Sequence, residues 1–83
     1  MYDVQLKPRA VKDLRNLPSL EARKIGEKLK LLEQGLSGDV KRLTDFTPEY
    51  RLRVGDYRVL FEVENSTIVV YRILHRRYAY EKR

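Results

Sequence analysis

Residues 51–62 read RLRVGDYRVLFE. Apolar and charged side chains alternate on both sides of a Gly55-Asp56 pair, the pattern of two half-buried strands joined by a two-residue hairpin turn. A turn of that length fixes the register: Val54 lies opposite Tyr57, Arg53 opposite Arg58, Leu52 opposite Val59 and Arg51 opposite Leu60. Opposed residues share a face, as do alternate residues along one strand. Leu52, Val54, Tyr57, Val59 and Phe61 therefore form an inner face, while Arg51, Arg53 and Arg58 stand on the outer one. Directly opposed arginines repel at a cost of a few tenths to about 1 kcal/mol, so an anion is expected to meet them. Glu62 shares their face and could neutralise part of the charge.

Two further strands follow from the same alternation. Residues 68–74 continue the hairpin into an antiparallel meander through a turn at Asn65-Ser66, and residues 2–6 (YDVQL) read as a first strand that joins the sheet. With the second turn in regular register, Leu60, Val69, Tyr71 and Ile73 share the arginine face. Between the first strand and the hairpin the period is helical. Pro8 suits a first helical position, with Ala10, Val11, Leu14 and Leu17 on one apolar face, and Pro18 ends that helix. Ser19 is placed to cap a longer second helix whose buried stripe is Ala22, Ile25, Leu29 and Leu32, closed by Gly35 and Gly38. The loop GLSGDVKRLTDFTPE at 35–49 carries too little periodicity to place. The expected fold is a single α+β domain over 1–83, β-α-α-β-β-β, with two N-terminal helices packed on a mainly antiparallel four-stranded sheet.

The chain has 83 residues, no cysteine and a net charge of +6, from 18 Lys and Arg against 12 Asp and Glu. Divided after Thr47, the two parts contribute +3 each, so only folding can concentrate the excess. Such a balance points to nucleic acid or an acidic protein partner. Absence of cysteine excludes disulfides and thiolate metal sites and fits a reducing, cytoplasmic setting. No apolar run suggests a signal peptide or a membrane span.

An outer face with guanidinium forks beside apolar and aromatic surface suits an RNA nucleotide, whose phosphate is gripped while its base stacks. The chain end, RILHRRYAYEKR, adds His75, Arg76, Arg77, Tyr78 and Tyr80. His75 alone has an ordinary pKa near neutrality, which makes it a candidate proton acceptor. A regular strand would send its ring to the opposite face from Arg76. No carboxylate cluster has histidine at ligand spacing, so neither a metal site nor a cofactor is expected, and GLSGD does not match a phosphate loop.

YRLRVGDYRVLFEV, a last strand TIVVYRILH and the ending HRRYAY together resemble the RelE-type toxins of bacterial type II toxin–antitoxin pairs, within the superfamily that includes the ParE-type gyrase poisons. The resemblance implies a RelE-like, microbial-RNase type of fold. It implies an endoribonuclease, an mRNA interferase that cuts messenger in the A site of the 70S ribosome with contacts to ribosomal RNA. No metal takes part: a ribose 2′-hydroxyl attacks the adjacent phosphodiester. Carried onto this chain, the implied catalytic set is Arg51, Arg53, Arg58, Arg76, His75 and Tyr80, with Tyr71, Arg77 and Tyr78 joining the arginines and Tyr80 in RNA binding. Arg51 and Arg53 stand where the best-known member has lysines. Arginine stays protonated at neutral pH and is a poor base, so these two bind phosphate rather than remove a proton. A cognate antitoxin is implied, together with a larger toxin–antitoxin complex that binds operator DNA through the antitoxin. The alternatives are a ParE-like inhibitor of DNA gyrase and a non-catalytic module that binds RNA or antitoxin.

Overall fold

The structure, a computed structural model, describes residues 1–79. Its elements are β1 (Asp3–Leu6), α1 (Pro8–Arg15), α2 (Ser19–Leu32), β2 (Val40–Arg42), β3 (Tyr50–Val54), β4 (Tyr57–Glu64) and β5 (Thr67–His75). They build one mixed sheet in the order β1-β5-β4-β3-β2, in which β1 runs parallel to β5 and every other pair is antiparallel. The expected helix-on-sheet architecture holds, with one strand more than the sequence showed. Strand β2 is only three residues long, too short to display a period, and it exists because Val40, Lys41 and Arg42 pair with Leu52, Arg51 and Tyr50.

The β3–β4 hairpin has the register its sequence specifies, Val54 to Tyr57 through Arg51 to Leu60. Gly55 takes φ +59 while Asp56 stays out of the left-handed region, the dihedral pattern of a II′ turn, whose twist matches that of the flanking strands. The core lies between this sheet and the helices. Ala10, Ile25, Leu29 and Leu32 meet Leu52, Val54, Val59, Phe61, Ile68, Val70 and Ile73, all buried. Phe61, fully enclosed, stacks on Tyr50 with centroids 5.4 Å apart.

Two local expectations change. Pro18, not Ser19, is the N-cap residue of α2, and no side chain caps that end: Ser19 already lies inside the helix. The β4–β5 ladder slips at Leu60/Phe61, where Phe61 pairs with Val70 but Leu60 pairs with Arg72, so Tyr71 is an extra residue. This β-bulge reverses the alternation beyond it. Ile73, expected on the arginine face, therefore turns into the core, while Leu60 and Val69 stay on the arginine face yet are buried.

Candidate functional site

The sheet face away from the helices is organised in rows. Arg53, Arg58 and Leu74 form the row nearest the hairpin turn, Arg51, Leu60 and Arg72 the next, and Glu62 with Val69 the one after. Three arginines from two strands thus converge as the alternation requires. Arg58 is steadied by its own turn, Nη1 donating to the carbonyls of Gly55 at 3.0 Å and Tyr57 at 3.1 Å. Arg76 reaches the same turn from the chain end: its backbone N–H donates to the Asp56 carbonyl at 2.7 Å, and its exposed guanidinium stands 3.9 Å from the Asp56 carboxylate.

The carboxylate that meets these arginines is Asp39, not Glu62. Arg51 Nη1 donates to Asp39 Oδ1 at 2.9 Å and to the Asp39 carbonyl at 2.7 Å, and Arg53 Nη1 lies 4.0 Å from Oδ2. The Arg51 hydrogen bond, reinforced by the charges of Arg51, Arg53 and Arg58, holds the Asp39 carboxyl below the ordinary aspartate range. Glu62 is occupied elsewhere, accepting the Glu49 N–H at 2.8 Å and so tying the 43–49 loop to the sheet. Asp39 escaped the sequence reading because its loop has no period and it becomes a neighbour of Arg51 only through the β2–β3 pairing.

Beside the arginine rows runs an open groove of about 630 Å³. The β1–α1 junction supplies Lys7 and Pro8 to one wall, Thr47 and Pro48 stand on the other, and Glu62, Tyr71 and Arg72 line the sheet side. The Thr47-Pro48 peptide is cis. The bulge that displaces Ile73 leaves Tyr71 in this groove, with Lys7 Nζ 5.5 Å from its ring centroid. Arg72 is bound along the sheet edge by Asp13 of α1, Nε to Oδ2 at 2.7 Å and Nη2 to Oδ1 at 3.1 Å. That hydrogen-bonded pair raises the Arg72 pKa further above its already high value. Asp13 Oδ2 also accepts the Ile73 N–H at 2.9 Å, completing a strut between α1 and β5.

His75 does not join the arginine face. It pairs with Tyr57 on the helix side, its ring edge-on to the tyrosine at 5.5 Å, while Leu74 takes the place beside Arg58. Its Nδ1 accepts the Arg77 N–H at 3.2 Å. A neutral ring bonded in this way carries its proton on Nε2, which is then a donor rather than an acceptor. His75, Arg77 and Tyr78 line a separate shallow depression, with Arg77 and Tyr78 exposed. Tyr80 lies outside the described residues. Among the described residues, no group of three or more His, Cys, Asp or Glu is arranged to hold a metal ion.

With this geometry established, comparison with known proteins gives a consistent result. Residues 4–80 match the family described as the ParE toxin of the type II toxin–antitoxin system parDE. The chain is 34% identical over 80 residues to Toxin RelE3 of Methanocaldococcus jannaschii, covering 86% of each sequence. Among solved structures, it is similar to a chain of the RelB–RelE antitoxin–toxin complex from Methanococcus jannaschii, with a TM-score of 0.75, 30% identity and coverage of 88% of this chain and 91% of that one. The archaeal RelE–RelB complex from Pyrococcus horikoshii gives a TM-score of 0.76 at 30% identity, with 90% of this chain and 94% of that chain covered.

Proposed function

The chain belongs to the RelE/ParE superfamily of type II toxin–antitoxin toxins, and from that premise we propose that it is a ribosome-dependent endoribonuclease that cuts messenger RNA in the decoding site. The observation that carries this reading is the convergence of Arg51, Arg53 and Arg58 on one open face, with Arg76 stitched to the same hairpin turn. A scissile phosphate held there meets planar donors from two strands, which stabilise the charge that builds on its non-bridging oxygens. The attacking 2′-hydroxyl forms the new P–O bond and the 5′-oxygen leaves, yielding a 2′,3′-cyclic phosphate and, after proton transfer, a 5′-hydroxyl. Arginine binds and stabilises in this scheme and does not act as the base. His75, on the other face with Nδ1 occupied, is given no step on the phosphate. The groove beside Tyr71 offers the neighbouring base an apolar wall and a ring to stack on.

The partner of the resting protein is a cognate antitoxin, as in the RelB–RelE complexes it resembles. Through that antitoxin a larger complex binds operator DNA. The substrate complex is messenger on the 70S ribosome, with contacts to ribosomal RNA that help align the attacking hydroxyl. A second reading is favoured by the description of the matching family, a ParE toxin: inhibition of DNA gyrase.

Mapping messenger 5′ ends in a translating extract, with and without the protein and an Arg58→Ala variant, separates the two. The expected result is cuts at decoding-site codons that disappear with the variant. Absence of new 5′ ends, with inhibition of supercoiling in a parallel gyrase assay, would overturn the ribonuclease reading; undiminished cutting by the variant would overturn the role given to the arginine face.

A further inference from the structure

Asp39 is the anion that Arg51 and Arg53 meet in this structure. Its main chain is fixed: Val40 N–H closes a tight turn onto the Gly38 carbonyl at 3.0 Å, and the Asp39 carbonyl accepts the Arg53 N–H at 2.9 Å. Its side chain is not so confined, with 52% of its surface exposed. The two groups do separable work on Arg51. The carbonyl, at 2.7 Å, aims the guanidinium; the carboxylate, at 2.9 Å, neutralises it. Rotation of the carboxylate away would leave Arg51 pointed at the open face by the backbone contact, and it would free the neighbouring Arg53 as well.

We infer that Asp39 is a resident anion of the arginine face, a carboxylate that an incoming phosphodiester displaces from Arg51 and Arg53 and that thereby sets the affinity of the site for phosphates. The inference rests on the reading of this face as a phosphate site. Its consequence is selectivity. A free phosphate or a loose single strand competes poorly with a carboxylate tethered beside the arginines, whereas a phosphate presented rigidly, with its neighbours held by a larger assembly, has lost less freedom and displaces it. A weakly binding face on the isolated chain and an effective one on an ordered substrate are thus properties of the same side chain.

The test uses the full chain and three variants, Asp39→Asn, Asp39→Ala and Asp39→Glu, with two probes: an uncleavable all-deoxy oligonucleotide followed by fluorescence anisotropy, and inorganic pyrophosphate followed by calorimetry. Removing the charge in the Asn and Ala variants should tighten both probes by about two- to fivefold, the range of an exposed ion pair. The slope of log affinity against log salt should steepen by about 0.7 for one additional phosphate contact. The Glu variant should stay near wild type. If Asp39 instead serves to position Arg51, both Asn and Ala variants bind more weakly, and the inference is overturned; unchanged binding overturns it equally. Should the Ala variant fail to fold, the Asn and Glu pair decides the matter. The pyrophosphate arm stands apart from the ribonuclease reading: tighter pyrophosphate binding with no messenger cleavage sinks the nuclease alone, and cleavage with unchanged pyrophosphate binding sinks this inference alone.

Discussion

The strut between Asp13 and Arg72 makes a demanding prediction for Asp13→Ala. The carboxylate accepts three hydrogen bonds, two from the guanidinium at 2.7 and 3.1 Å and one from the Ile73 N–H at 2.9 Å. Only 16% of the Asp13 side-chain surface and 18% of that of Arg72 is exposed, so water cannot replace the lost partner fully. Breaking a buried pair by deleting one member costs about 3–5 kcal/mol, and the remaining exposure here brings the expectation down to about 2–4 kcal/mol. A domain of this length has roughly 4–12 kcal/mol in total. Thermal unfolding followed by circular dichroism should therefore show a midpoint lower by roughly 10–25 °C. Asp13→Asn keeps an acceptor for Ile73 and should lose about half as much. Replacing both partners, as in Asp13→Leu with Arg72→Met, should recover the part of the loss that comes from the unpaired charge, while the Ile73 N–H still lacks its acceptor. A midpoint within about 2 °C of wild type for Asp13→Ala, or a double variant no more stable than the single one, would refute the strut.

Gly26 lies exposed within α2, and a Cβ built there meets nothing within 4 Å. Gly26→Ala should accordingly add about 0.5–1 kcal/mol in denaturant unfolding. The Asp39 carboxyl is held below its ordinary value, so its contribution to stability is present above the unfolded aspartate pKa and is lost as pH falls through the lower folded value. Wild type and Asp39→Asn should then differ in melting temperature at neutral pH, begin to converge as pH falls past the unperturbed 3.8, and coincide only beneath the lower folded value. Phe61, fully buried and stacked on Tyr50, should cost about 3–5 kcal/mol as Phe61→Ala, enough to leave dispersed native amide resonances only under stabilising conditions.

What residues 51–62 determined by themselves was the hairpin. A two-residue turn with glycine first, flanked by strict alternation, leaves one register, and that register alone brings Arg53 opposite Arg58 and Arg51 onto the same face. The apolar stripe of α2 was legible for the same reason: Ile25, Leu29 and Leu32 are neighbours through helical geometry, which the chain carries locally. The bulge at Tyr71, the strand Val40–Arg42, the Asp39 contact and the Asp13–Arg72 strut belong instead to tertiary structure. Asp13 and Arg72 are 59 residues apart, and no periodicity links them. Tyr71 and Ile73 occupy alternate positions of an apparently regular strand, and only the packing of β5 against β4 decides that one lines the groove and the other enters the core. Local alternation set which way the arginines point. The charge that answers them, and the side on which His75 stands, were settled by contacts that exist only once the sheet has assembled.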